Sequence, residues 1–228
     1  MQTSKPKERK TSSRPKLIIF ASGSKTGAGS GFEKLVEATK PQQRGEASLL
    51  DAEIVAVVSN HKNGGVRERA DRLGIPFIHF NCRTSDVLQL EEYYRKIVKE
   101  SGAEWVALSG WLKMVKGLDP SKTFNIHPAL LSQLGGRFGG PGMWGHHVHE
   151  AVKEVLDRGE ITESGLTMHF VTDEYDRGPA FFEYKVPLSK GMSADQIGEL
   201  VNKAEHQWQP IITNKIIHGE IAYGDFVA

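Results

Sequence analysis

The sequence predicts a doubly wound α/β fold: a mostly parallel sheet with helices on both faces, followed by a strand pair and a last helix. Three observations carry this. Short β-branched runs without polar alternation, such as KLIIFA (16–21), AEIVAVVSN (52–60) and WVALSGW (105–111), read as strands buried on both faces, the habit of parallel sheets. Segments of helical apolar periodicity lie between them. The glycines cluster where those strands end, so the loops sit at one edge of the sheet. Together these describe a Rossmann-like arrangement.

After KLIIFA the glycine-rich SGSKTGAGSG leads into the helical FEKLVEA. AEIVAVVSN is followed by the loop HKNGG and by VRERADRLGIP, where Val66, Ala70 and Leu73 share a helical face and Gly74 stands as a C-terminal cap. PFIHF is the third strand. In LEEYYRKIVKE, Leu90, Tyr93, Tyr94, Ile97 and Val98 recur at i, i+3, i+4, i+7 and i+8, an amphipathic helix. WVALSGW and KTFNIHP (122–128) are strands four and five. VHEAVKEVL places Val148, Ala151, Val152, Val155 and Leu156 on one helical stripe. GLTMHFV and PAFFEYKVPL form the strand pair, joined by TDEYDRG. In the last segment Ser193 and Gln196 make a capping-box pattern, and Ile197, Leu200, Val201, Ala204, Trp208 and Ile211 form the stripe. Pro210 is expected to bend or interrupt that helix.

The 228 residues suffice for one substantial core. Residues 1–15 are expected to be a polar, flexible tail and 16–228 one domain. The 29 basic and 28 acidic residues nearly cancel, so the overall charge points to neither nucleic acid nor an anionic membrane. A lone cysteine, Cys82, and the lack of a signal-like apolar segment lead to the expectation of a cytoplasmic protein.

Ligands of open parallel sheets bind beyond the carboxyl ends of the strands, and the polar clusters fall there. The loop SGSKTGAGSGF offers backbone N–H groups at a helix start, suited to a phosphate, though it matches neither a Walker A loop nor G-x-G-x-x-G. In KTFNIHP, Asn125 and His127 lie on one face of an extended segment and Ile126 on the other. An amide donor beside an imidazole suits oxyanion stabilisation with proton transfer. TDEYDRGP supplies Asp173, Glu174 and Asp176; a carboxylate near His127 would fix its tautomer and favour the charged ring, and the loop alone leaves the choice among the three open. His146, His147 and His149 lack the spacing of structural zinc and are expected to be a polar helix start, with no metal. Cys82 has no activating pattern.

From Lys16 to Gly219 these pieces, in this order, resemble the folate-dependent formyltransferases. FNIHPALL, MHFVTDEYDRGP, KVPL and AEHQWQPII carry the resemblance. It implies transfer of a formyl group from 10-formyltetrahydrofolate, as co-substrate, to a primary amine, that of glycinamide ribotide in de novo purine synthesis. It assigns Asn125, His127 and Asp176 as catalytic, with Asn125 donating to the oxyanion and Asp176 keeping His127 protonated. By the same resemblance Gly29, Ser30 and Gly31 hold the ribotide phosphate, Arg83 is a further phosphate contact, and Asn202 and Glu205 contact the ribotide. Leu108, Trp111, Leu112, Lys113 and Val115 line the pterin pocket, with His169 and Thr172 beside it. The implied partners are small molecules, with no nucleic acid or membrane, and the chain is expected as a monomer or homodimer.

Several positions depart from the family pattern: a longer phosphate loop, Gly31 where Asn is common, Ser132 where Pro is usual, and the extended link QLGGRFGGPGMWGHH. Because that link borders the acceptor, an amino-sugar formyltransferase is an alternative, as is formyltetrahydrofolate hydrolase. The hydrolase usually carries an N-terminal regulatory domain, for which fifteen polar residues leave no room. Methionyl-tRNA formyltransferase carries a C-terminal domain that is not expected here.

Overall fold

The structure, a computed structural model, describes residues 13–24, 29–41, 43 and 45–225. Most of the expected tail and residues 25–28 of the first glycine-rich loop lie outside the described residues.

Five parallel strands form the centre: β1 Lys16–Phe20, β2 Glu53–Ser59, β3 Phe77–His79, β4 Trp105–Ser109 and β5 Thr123–His127. β6 Glu163–Phe170 and β7 Ala180–Pro187 extend the same sheet antiparallel, in the order β3-β2-β1-β4-β5-β6-β7. The chain winds outward from β1 to β3 and then returns to the other side of β1 with β4. The crevice at that reversal, between the loops leaving β1 and β4, is where such sheets take ligands. Ser22 holds its two walls together: its N–H donates to the Gly110 carbonyl (3.0 Å), and its hydroxyl accepts from the Leu112 N–H (2.9 Å).

Helices α1 Ser30–Ala38, α2 Gly65–Leu73 and α5 Ala194–Ile217 pack on one face, where Phe32, Leu35, Val66, Ala204 and Ile216 join Leu17, Ile19 and Ile126. Helix α3 Val87–Ser101 covers the other, with Tyr94 and Ile97 against Ile18, Phe20, Val106 and Leu108. Burial of apolar side chains on both faces explains why the central strands lack polar alternation. Helix α4 His146–Asp157 packs on α5 through Val148, Val152, Ile197 and Val201, around the fully buried Phe138.

The caps follow the sequence. Gly74 ends α2 at φ 71°, a left-handed turn that costs glycine little, and Ser193 with Gln196 closes a reciprocal capping box on α5. Pro210 does not interrupt α5, which runs continuously to Ile217. Proline withdraws the N–H that would bond the His206 carbonyl, but burial of Pro210, Ile212 and Ile216 keeps the helix in register. The buried stripe also differs from the expected one: Leu200 is exposed, and Gln209, Ile212 and Thr213 are buried. No described helix is long and apolar enough to cross a membrane.

Candidate active site

Asn125 and His127 share the face of β5 opposite Ile126, which packs into the α1/α5-side core. The antiparallel register sets Asn125 directly across from His169 and His127 across from Thr167. Asn125 Nδ2 lies 3.1 Å from His169 Nε2. His169 Nδ1 donates to its neighbour's carbonyl, Phe170 O, at 2.9 Å, and Nε2 lies between the Asn125 amide and the Asp176 carboxylate. The second Asn125 N–H is left for the cavity that the residue lines.

Of the three loop carboxylates, Asp176 comes to the ring: its Oδ2 lies 3.6 Å from His127 Nδ1, and its Oδ1 lies 3.5 Å from His169 Nε2. Asp173 and Glu174 are exposed. The β6–β7 loop turns back sharply because Gly178 sits against the end of β6, where any Cβ would collide with Phe170 O. Asp176 itself occupies left-handed backbone space at φ 51°, unusual for a non-glycine residue and the kind of strain that a well-braced site sustains.

The glycine-rich link is part of this machinery. His127 Nε2 donates to the Phe138 carbonyl at 2.6 Å, and the Gly140 N–H donates to Asp176 Oδ2 at 2.9 Å. Neither contact has a signature in the residue types, since both come from backbone groups. Phe138 anchors the link in the α4/α5 core, and Gly139 passes so close that a Cβ there would collide with Leu131 and stand 3.2 Å from the Asp176 Cβ.

Burial lowers the pKa of His127, and the facing Asp176 works in the opposite direction. Burial raises the Asp176 carboxyl, but His169, His127 and the Gly140 N–H outweigh it and hold the group below the usual carboxylate range. The Asp176 carboxylate and the His127 imidazole face each other across 3.6 Å.

A cavity of about 570 Å³ opens above this cluster, in the size range of small-molecule sites. Gly29, Ser30 and Gly31 line it at the N-terminus of α1, and Trp111 and Leu112 line it after β4. From α5, Asn202, Glu205, His206 and Gln209 line it at i, i+3, i+4 and i+7. Burial pushes the Glu205 carboxyl up to about 7, with the Asn202 amide at 3.3 Å pulling the other way. His149 also faces the cavity, and burial lowers its pKa to about 4. A smaller cavity of about 40 Å³ is lined by Leu108, Trp111, Lys113, Val115, His169 and Thr172 and shares Asn125, Tyr175 and Asp176 with the first. Arg83 is exposed in the β3–α3 loop and lines neither cavity.

Sequence reasoning missed Phe138, Gly140, Ser109, Tyr175, His149, His206 and Gln209. For the α5 residues a signal existed: the helical spacing from Asn202 and Glu205 also reaches His206 and Gln209. Gly31, where the family commonly has Asn, has no room for a side chain, because the Ser109 hydroxyl and the Gln209 amide fill that space. His146 pairs with Glu150 and Asp195, and His147 with Glu150. Among the described residues no group of three or more His, Cys, Asp or Glu is arranged to hold a metal.

The family model described as formyl transferase matches residues 16–213. A chloroplastic phosphoribosylglycinamide formyltransferase of Arabidopsis thaliana is 32% identical over 85% of this chain, which spans only 62% of that protein's length. Phosphoribosylglycinamide formyltransferase of Escherichia coli is 29% identical over 90% of this chain and 88% of its own. The crystal structure of the Brucella melitensis phosphoribosylglycinamide formyltransferase superposes with a TM-score of 0.71 at 29% identity, over 91% of this chain and 98% of that one. The chain, matched over nearly all of its strands and helices, belongs to the formyl transferase family.

Proposed function

We propose that the protein transfers the formyl group of 10-formyltetrahydrofolate to the primary amine of glycinamide ribotide, a step of purine synthesis. The observation that carries this reading is the convergence of Asn125, His127 and Asp176 at the junction of two cavities, one large enough for a ribotide and one beginning a slot for a pterin. At about 40 Å³ that slot has room for about one water.

The amine nitrogen attacks the formyl carbon and the carbonyl electrons move onto oxygen. The free Asn125 N–H donates to that oxyanion, an interaction worth about 3 kcal/mol in a transition state. The C–N10 bond then breaks as N10 accepts a proton, and the attacking nitrogen gives one up. His127 Nε2–H is committed to Phe138 O, so exchange runs through Nδ1 and Asp176, and imidazolium forms only during turnover. Gly29, Ser30 and Gly31 hold the phosphate, and Asn202 and Glu205 the ribose side. Holding both reactants in one cleft supplies much of the remaining rate gain.

The test is to incubate the protein with 10-formyltetrahydrofolate and glycinamide ribotide, an amino sugar, or water alone, and to follow tetrahydrofolate release. Release that depends on glycinamide ribotide supports the proposal. Equal release in water, or release with the amino sugar only, overturns it.

A further inference from the structure

The phosphate end of the cavity has an unusual construction. The volume that a side chain at Gly31 would fill is taken by two groups from distant elements: a Cβ there would collide with Ser109 Oγ and stand 3.2 Å from Gln209 Oε1. Ser109 Oγ donates to Gln209 Oε1 at 3.2 Å, joining the end of β4 to α5 across one hundred residues of sequence. Both side chains are buried, Gln209 at 2% exposure and Ser109 at 7%. The bond to Ser109 occupies the carboxamide oxygen, and Gln209 Nε2 donates to nothing among the described residues although the residue lines the cavity. The residue lines the cavity, so its Nε2–H is available to a group bound there.

Its neighbours say what. The first N–H groups of α1 are beside it at the positive end of a dipole, and no side chain among the described residues caps that helix. No Lys or Arg appears among the described residues lining the cavity. Among the described residues, the donors offered to an anion here are neutral N–H groups. Along α5 the distance from Asn202 to Gln209, seven residues, is about 10 Å at 1.5 Å per residue. A phosphorylated sugar amine laid along that stripe has its reacting end near His127 and its phosphate near Gln209.

We propose that Gln209, propped by Ser109, is a specificity-determining residue of the acceptor site, its Nε2–H donating to a phosphate oxygen that the α1 N-terminus also holds. This rests on reading the site as one for a phosphorylated acceptor, and it assigns part of that recognition to α5 instead of to a side chain of the phosphate loop. Glu at 209 keeps the shape and replaces the donor by a negative charge. Met keeps the approximate volume without a donor.

The experiment is calorimetric titration of the full chain and its Gln209→Glu and Gln209→Met variants with ribose 5-phosphate, and with tetrahydrofolate as a control for the donor side. Expected is at least a tenfold weaker Kd for ribose 5-phosphate in Gln209→Glu and several-fold in Gln209→Met, with tetrahydrofolate binding retained. Unchanged ribose 5-phosphate affinity in both variants, or none in the wild type, overturns the proposal. Equal loss of tetrahydrofolate binding also overturns it, because the role is then architectural. A wild type that binds ribose 5-phosphate in a Gln209-dependent way, yet does not formylate glycinamide ribotide, sinks the proposed reaction and leaves this phosphate contact standing.

Discussion

The His127 Nε2–H is bonded to the Phe138 carbonyl at 2.6 Å, which turns Nδ1 toward the Asp176 carboxylate 3.6 Å away. One backbone carbonyl of a glycine-rich link thus fixes the tautomer of the central imidazole and decides which nitrogen exchanges protons. The prediction is a singly protonated, Nε2–H ring at pH 7 with a titration midpoint below the 6.5 of ordinary histidine. Nitrogen-15 spectra of the imidazole check both. The Asp176→Asn variant lowers the midpoint further, since Asp176 is the group that raises it.

Asp176→Asn is also expected to cut turnover by orders of magnitude while the far-ultraviolet spectrum stays native. The carboxylate sits in a loop at the sheet's end, so its charge matters to the reaction more than to the fold. A rate near wild type in a stopped-time assay removes Asp176 from the mechanism.

Asn125→Ala removes the single side-chain donor placed for the oxyanion, and kcat is predicted to fall about 10²–10³-fold. His169 loses its Asn125 partner at the same time, so a modest loss of stability accompanies it. His169→Ala, which leaves Asn125 in place but unbraced, is expected to cost less in kcat than Asn125→Ala.

Gly139→Val tests the link itself. A Cβ there collides with Leu131 and crowds the Asp176 Cβ at 3.2 Å. Activity is predicted to fall toward that of Asp176→Asn, with a shift in the pH profile, because the link holds the carboxylate. A variant of wild-type activity shows that the link and Asp176 are independent.

Glu205 gives a stability prediction with a definite sign. Its folded pKa is raised from 4.5 to about 7, so over that window the folded protein binds more protons than the unfolded chain, and stability falls as pH rises through it. Glu205→Gln removes the buried charge. The variant is expected to melt above the wild type at pH 8 and close to it at pH 4.5, checked by thermal denaturation at both. The opposite order places Glu205 in a charge-stabilising environment.

Much of the architecture was legible because it rests on local rules. Apolar runs of strand length, the Gly74 cap, the Ser193–Gln196 box and the alternation that puts Asn125 and His127 on one face all follow from backbone periodicity and hydrogen-bonding geometry. Pro210 shows the limit of such rules. An interior proline signals a break, yet tertiary burial of its neighbours holds α5 continuous.

The sequence by itself determined the order of strands and helices, the loop edge where polar residues gather, and the pairing of an amide with an imidazole on β5, because each depends on residues close together in the chain. Only the tertiary structure decided that burial lowers the pKa of His127, that the glycine-rich link grips both His127 and Asp176 through its backbone, and that Gln209 fills the space beside Gly31. Those facts depend on burial, on main-chain groups that carry no residue identity, and on contacts as distant as Ser109 with Gln209. Desolvation and long-range packing are properties of the assembled fold, and no local pattern of residues encodes them.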